Sequence, residues 1–340
     1  MKHFNVLSLI TFAALVLVFS GCSSKKYFEP EQTFSASSAE SSYGGNMVEL
    51  SRDGGTLQTG QYVGKAGVSK LTLGEGYRFL NENSTYVLAT NAKGILKVIS
   101  KKTKEPVRAI SLHIPVVSAG MKNGMIAYVL NNNTFGIYQM SNNRKVVESR
   151  SEKTFAIDTR AASPIFIDNL AVMPMLDGKI IIVNAADSAN AKVVYISSEK
   201  AFNNVIYLER MGNTMVAATP RRLITLGTAG KQEYKANISE VAIDKGRIYL
   251  FTKEGKILAL NSNLEEVATA KFKFAHYSVA TAFSDKVYAL DQQGSLIVLN
   301  KSLTKHKIYD LGEVAEPAFI TGTKLYKDGD IIELSKLGYE

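Results

Sequence analysis

The residues that could perform acid–base, metal or nucleophilic chemistry are few in this sequence and do not cluster. Its four histidines stand alone, at positions 3, 113, 276 and 306. No cysteine or second histidine lies at zinc-ligand spacing, and no phosphate-binding loop or GxSxG turn occurs. Acidic stretches such as KDGD at 327–330 lack the spaced oxygen ligands of a calcium loop. The sequence therefore predicts no catalytic residue, no metal site and no enzyme.

The one residue with a clear chemical assignment is Cys22, which is the only cysteine in 340 residues. A single cysteine cannot form an intramolecular disulfide. It follows Lys2, an apolar run over 6–19, and the small pair Ser20-Gly21, which is the layout of a signal peptide. The stretch LVFSGC resembles the lipobox of bacterial lipoproteins. That resemblance implies cleavage after residue 21 and lipidation of Cys22; the alternative is an ordinary cleaved signal.

Three segments follow from this layout. Residues 1–21 are predicted to be the signal peptide, 22–45 the lipidated cysteine with a flexible Ser-rich tether, and 46–340 the folded domain. Two or more acyl chains anchor a protein stably, and Ser23 after the cysteine favours export to the outer membrane. The net charge of +9 suits anionic headgroups or acidic partner surfaces. We expect no nucleic-acid partner for an exported chain.

A short pattern recurs throughout the domain: an apolar run, a polar turn with Gly, a second apolar run and a small polar residue. Its clearest copies are YLFTKEGKILALN and YALDQQGSLIVLN. Successive copies lie 33 to 44 residues apart. Their anchor positions are Gly94, Gly136, Gly178, Arg222, Gly255, Gly294 and Gly329.

Each interval holds about four short apolar runs rich in β-branched and aromatic residues, which favours strands over helices. Four strands per 40 residues predict an all-β fold, a single β-propeller of four-stranded antiparallel sheets. Seven copies predict seven blades; a weak echo at DGGTLQTG, with Gly55 as its anchor, leaves eight as the alternative. The last copy shows only three strands, so we expect a strand from 46–73 to close the ring.

These repeats resemble those of the pyrroloquinoline-quinone-type β-propeller superfamily, on segments such as RIYLFTKEGKILALN and KVYALDQQGSLIVLN. With the lipobox and tether, the whole chain resembles the BamB family of outer-membrane assembly lipoproteins. The resemblance implies a scaffold that binds other envelope proteins. Quinone enzymes of this superfamily hold the cofactor with a Trp and a vicinal disulfide. This chain has no Trp and one cysteine, so no cofactor is predicted.

Loops on a rigid ring commonly carry binding, and two basic clusters are the candidate partner-binding residues. One comprises Lys101, Lys102 and Lys104; the other is Arg221-Arg222, which replaces the Gly turn of the other copies. The predicted function is a monomeric, lipid-anchored scaffold on the periplasmic side of the outer membrane. Two alternatives remain: a periplasmic small-ligand or glycan-binding protein or enzyme using the propeller channel, and a surface adhesin.

The lipidation hypothesis predicts that Cys22→Ala abolishes incorporation of radiolabelled palmitate, because the thiol is the attachment atom. Wild-type protein expressed in parallel should carry the label. Label that persists in the variant would rule out Cys22 as the lipidated residue.

Overall fold

Short polar turns divide the chain into strands that pair with their neighbours in sequence. The computed structural model describes residues 26–36, 41–158, 160–187, 190–228 and 230–340. Within them, eight sheets of at least four strands follow one another along the chain as the blades of a propeller. The inner strands of successive blades contact each other, and blade 8 contacts blade 1, so the ring closes.

The first two strands, β1 Phe34–Ser35 and β2 Ser41–Ser42, precede blade 1. The strands of blades 1 to 4 run from the inner to the outer edge of each blade in chain order. They are β3 Met47–Ser51, β4 Gly54–Leu57, β5 Tyr62–Gly64 and β6 Gly67–Ser69 in blade 1; β7 Tyr77–Glu82, β8 Tyr86–Asn91, β9 Ile95–Ser100 and β10 Pro106–Ser111 in blade 2; β11 Val116–Lys122, β12 Met125–Leu130, β13 Thr134–Gln139 and β14 Arg144–Arg150 in blade 3; and β15 Ile165–Ile167, β16 Leu170–Pro174, β17 Lys179–Asn184 and β18 Ala191–Tyr195 in blade 4.

Blades 5 to 8 repeat the arrangement. They contain β19 Tyr207–Met211, β20 Thr214–Thr219, β21 Arg222–Gly227 and β22 Gly230–Lys235 in blade 5; β23 Ile238–Asp244, β24 Arg247–Thr252, β25 Lys256–Leu260 and β26 Glu266–Lys271 in blade 6; β27 Tyr277–Phe283, β28 Lys286–Asp291, β29 Ser295–Asn300 and β30 His306–Asp310 in blade 7; and β31 Phe319–Thr321, β32 Lys324–Lys327 and β33 Asp330–Glu333 in blade 8. A 3₁₀ turn at Leu334–Lys336 follows. None of the helical structure in the described ranges is long and apolar enough to span a bilayer.

The core lies between blades. Eight apolar clusters are buried, one at each junction between neighbouring blades. In SLIVLN of blade 7, Ile297 and Leu299 pack towards blade 6, whereas Leu296 and Val298 pack towards blade 8. Because side chains alternate across a strand, an apolar run can fill two junctions at once. This explains why the apolar runs of the central strands are continuous: these strands are buried on both faces.

The ring has eight blades, so the expectation of seven is wrong and the stated alternative of eight is correct. Residues 47–69 form blade 1 by themselves and do not complete the last blade. The strand that closes blade 8 is β2, which pairs antiparallel with β33 through Ser41 opposite Ile331. The strand β1 adds a fifth, parallel strand to blade 7. Both lie before residue 46, so the propeller begins earlier than the predicted domain boundary.

The turn between the second and third strands of a blade places Gly where φ is positive, as expected for Gly255 (φ 75°) and Gly294 (φ 93°). Two anchor positions differ from the prediction. Gly136 lies within β13, and the left-handed residue of the turn between β12 and β13 is Asn133. Gly55 lies within β4, and the turn of blade 1 uses Gly60. The repeat can be recognised from the sequence, but the turn positions cannot all be assigned from glycine, because some glycines lie within strands.

The turn glycine of blade 6 can be tested against a matched glycine in the same blade. A Cβ at Gly255 would lie 2.0 Å from the carbonyl oxygen of Phe272, whereas one at Gly246 (φ 79°) would meet nothing within 4 Å. We expect Gly246→Ala to cost about 1–2 kcal/mol of unfolding free energy through backbone strain alone. Gly255→Ala should cost a further ~1–3 kcal/mol from overpacking. Urea denaturation measures both, and equal costs would contradict the predicted clash.

Candidate functional site at the channel mouth

One short hairpin reaches into the centre of the ring. The turn between β3 and β4 carries Arg52 and Asp53, and the Arg52 guanidinium lies 2.7 Å from the Glu240 carboxylate on the inner strand of blade 6. The guanidinium also lies over the ring of Tyr207 in blade 5, at 4.9 Å from its centroid. Blade 1 is thereby tied across the channel to blades 5 and 6. We call this contact the cross-channel ion pair.

Burial shapes the charges of this hairpin. Burial acts to lower the pKa of Arg52, but the Glu240 carboxylate raises it above its ordinary value, so the guanidinium stays charged. Burial raises the pKa of Asp53, although Ser163 and the charges of Lys65 and Arg52 oppose the shift. The Oδ2 atom of Asp53 is inaccessible and has no hydrogen-bond partner among the described residues.

A second ion pair lies beside the first. Arg160 donates to both carboxylate oxygens of Asp158, at 2.9 and 2.8 Å. The buried Asn204 fixes Asp158 by accepting from its backbone N–H at 2.6 Å and donating to its carbonyl at 3.0 Å. Burial acts to raise the pKa of Asp158, but the hydrogen bonds and charge of Arg160 outweigh it. The net pKa therefore lies below the ordinary value. Glu240 also raises the pKa of Arg160, so the two ion pairs form one charged network in the channel.

A cavity of about 500 Å³ opens beside this network. We call it the channel mouth; residues from blades 1 to 5 line it, among them Arg52, Asp53, Lys65, Lys101, Lys122 and Phe166. The three lysines stand on turns between first and second strands or between third and fourth strands, which lie on the same face of a propeller. Three cationic side chains from three blades thus surround one opening. No group of three or more His, Cys, Asp or Glu suited to a metal ion occurs in the described part of the chain.

Lys101 is fixed in place by a buried acid. Its ammonium lies 2.7 Å from Glu82, whose side chain is only 3% exposed. Glu82 also accepts from the Tyr62 hydroxyl at 3.1 Å and from the Lys65 backbone N–H at 2.6 Å. Burial raises the pKa of Tyr62 to about 12; a hydrogen bond with Ser69 opposes the rise, and Glu82 adds to it. The turns that carry Lys65 and Lys101 are therefore joined through one carboxylate.

The structure separates the two predicted basic clusters. Lys102 and Lys104 are exposed on the same turn as Lys101, so this cluster belongs to the channel mouth. Arg221 lies in a turn between second and third strands, on the opposite face. Arg222 begins β21 and pairs with Glu233 at 2.7 Å. Lys231 and Arg222 lower the pKa of Glu233. Cys22 lies outside the described residues.

The unusual turn at Arg221 has a structural cause. Thr219 pairs with Arg222 across a turn of two residues, Pro220 and Arg221. The corresponding turns of blades 6 and 7 hold three residues and end on a left-handed glycine. The shorter turn has no position for that glycine, so its absence does not by itself indicate function.

Sequence reasoning missed Arg52 and Asp53. The stretch DGGTLQTG gives only a weak echo of the repeat turn and does not include Arg52, and nothing in a linear pattern shows that a turn points into a channel. One available signal was its glycine pair. A Cβ at Gly54 would lie 2.2 Å from the carbonyl oxygen of Val63 and 2.6 Å from Phe79, so this hairpin packs unusually closely on its neighbours.

The raised pKa of Asp53 predicts a pH dependence of stability. Its folded-state value lies above the ordinary 3.8, so the folded protein binds this proton more tightly than the unfolded chain does. The resulting stabilisation is complete below pH 3.8 and is lost as the pH rises through the raised value. The side chain introduced by Asp53→Asn cannot ionise. The unfolding free energy of this variant should therefore increase relative to that of the wild type as the pH rises from 4 to neutrality. Urea denaturation across this range measures the difference. Asp187→Asn, at an exposed position, is the control; a difference at Asp53 that stays constant with pH would contradict the assignment.

Comparisons with known proteins agree with this architecture. No family model matches the chain. Plasminogen-binding protein PgbB of Helicobacter pylori strain J99 is 26% identical over 94% of this chain and 67% of its own length. The crystal structure of BamB from Moraxella catarrhalis superposes with a TM-score of 0.67 at 13% identity, covering 85% of this chain and 93% of BamB. Sqt1 of Saccharomyces cerevisiae superposes with a TM-score of 0.61 at 13% identity, covering 85% and 96%. The chain thus has the fold of a BamB-like propeller and is similar in sequence to a plasminogen-binding protein.

Proposed function

We propose that this chain is a lipid-anchored protein of the bacterial envelope whose propeller binds another protein at the channel mouth. The observation that carries the proposal is the set of three lysines from three blades around one cavity, above a channel crossed by the Arg52–Glu240 ion pair. The LVFSGC stretch supports the anchor at Cys22. PgbB, to which the chain is similar in sequence, is named for binding a protein, which supports recognition over catalysis.

The channel mouth suits an acidic surface of a partner. Lys65 and Lys122 are exposed, and Lys101 is held by Glu82 with its side chain 29% exposed. Lys102 and Lys104 extend the positive surface outward along the same turn. Complementary charge across an interface speeds association and excludes wrong partners. Glu82 holds the backbone of Lys65 and the ammonium of Lys101, which lowers the ordering cost that binding would otherwise carry.

Two partners are candidates. The BamB-like fold, together with the lipobox, favours a partner in outer-membrane protein assembly, with the propeller facing the periplasm as a monomer. The similarity to PgbB over 94% of the chain favours plasminogen, which would require the propeller to face the outside of the cell. Protease treatment of intact cells separates the two orientations.

Charge reversal tests the channel mouth. We expect Lys65→Glu combined with Lys122→Glu to reduce partner binding at least about tenfold, corresponding to ~1.4 kcal/mol, because a repulsive pair replaces an attractive one. The full-length tagged protein in detergent would be assayed by cross-linked capture from envelope extracts and by direct binding to purified plasminogen.

The matched control reverses two exposed lysines on outer strands of blades 4 and 5, Lys192→Glu and Lys235→Glu. It makes the same change in net charge away from the channel mouth. If both double variants bind as well as the wild type, the channel mouth is not the binding site. If neither envelope proteins nor plasminogen bind the wild-type protein, the proposed function fails.

A further inference from the structure

The N-terminal segment follows the outer rim of the ring from blade 6 to blade 8. Phe28 packs edge-on against Phe272, with ring centroids 6.0 Å apart, at the junction of blades 6 and 7. Phe34 then lies opposite Tyr309 in the parallel pairing of β1 with β30. We call residues 26–36 the strap. Its first described residue, Lys26, has its ammonium 5.6 Å from the ring centroid of Phe274.

The strap brings the rim close to Cys22. Four peptide steps separate Cys22 from Lys26, and a fully extended chain covers at most about 14 Å in four steps. A lipid on Cys22 would enter the bilayer within this reach of the Lys26 backbone, whose side chain extends towards Phe274. A long flexible tether over 22–45 would leave the orientation of the propeller relative to the bilayer free. The docked strap restricts this orientation.

The rim at this junction is rich in lysine and carries an aromatic side chain. Lys271 and Lys273 flank the connection from blade 6 to blade 7 and are exposed. Lys256 is exposed and lies directly opposite Lys271 in the pairing of β25 with β26. Phe274 is partly exposed, and the Lys273 ammonium lies 5.1 Å from its ring centroid. We call this group the lysine rim.

Acidic residues nearby are fewer. Glu29 and Glu31 are exposed on the strap, and Glu254 belongs to the turn next to Lys256. On the positive side, Lys307 adds its ammonium 4.1 Å from the Phe34 ring centroid, beside the four lysines already named. Lysines next to a membrane are attracted to anionic headgroups. An aromatic ring among them suits the boundary between headgroups and acyl chains.

We propose that the lysine rim rests on the anionic headgroups of the bilayer that holds the Cys22 lipid. This rests on the lipid anchor of the proposed function and adds an orientation to it. In a ring of eight blades, blades 2 and 3 lie opposite blades 6 and 7. The turns bearing Lys101, Lys102 and Lys122 therefore project away from the membrane, where a protein partner can reach them.

The chain offers a direct test, because a lipidated Cys22 leaves no free thiol and Lys273→Cys introduces one. The lipidated full-length variant would be labelled with a thiol-reactive fluorophore. It would then be reconstituted into vesicles of equal parts phosphatidylglycerol and phosphatidylcholine containing a headgroup quencher. The matched variant is Lys102→Cys in blade 2. We expect loss of fluorescence at position 273 and none at position 102. The loss should shrink when phosphatidylglycerol is omitted.

Mass spectrometry of the same preparation reports whether Cys22 carries lipid. With lipid present, unquenched fluorescence at position 273, or equal quenching at both positions, overturns the orientation and leaves the anchor intact. Without lipid, both the anchor and the orientation fail. Unchanged circular dichroism and thermal midpoint show that each variant is folded, since both lysines are exposed.

Discussion

Burial of apolar side chains on both faces of the central strands of each blade is the constraint on which this protein depends. A single blade would leave both of its apolar faces in water, at roughly 25 cal/mol for each Å² exposed. Each junction removes one face of two blades at once, and eight junctions are filled. An open row of blades would leave two faces uncovered, so closure of the ring follows from the same requirement. The outer strands do not need to bury apolar faces on both sides. The outer strand β22 is accordingly polar and almost entirely exposed.

The channel, in contrast to the junctions, is occupied by charged side chains. The inner strands line the channel around the axis of the ring. Apolar side chains are not required there, because the junctions between blades already form the hydrophobic core. Charged residues can therefore occupy the channel, provided that they are paired. Arg52 with Glu240 and Arg160 with Asp158 satisfy that condition. Pairing buried charges fixes geometry more than it adds stability. The consequence is a defined floor beneath the channel mouth and fixed positions for the turns around it.

Much of the fold was predictable because the repeat is written in local patterns. Strand runs and turn glycines could be predicted from composition and spacing. Blade 1 was harder to recognise as a repeat, because its glycine pair at 54–55 serves close packing in a strand and not the turn. The closing strand at Ser41–Ser42 has two residues and no apolar pattern, so backbone pairing alone defines it. The site was largely hidden: Lys101 could be selected by charge, but Arg52, Glu240 and Asp158 come from blades far apart in sequence. Only the closed ring brings them together.

The shallow attachment of the strap also affects how the protein responds to force. A pull on Cys22 acts first on β1 and then on β2, each of which has only two paired residues. The longer strands of the inner ring are loaded last. If the strap detached as far as Ser41, the linker between Cys22 and the first docked residue would lengthen from four peptide steps to nineteen. Nineteen steps span about 65 Å when fully extended. If Cys22 carries the proposed lipid, the N-terminal segment would be a linker with two lengths: short while the strap is docked, and long enough after its release for the ring to follow a bound partner away from the membrane.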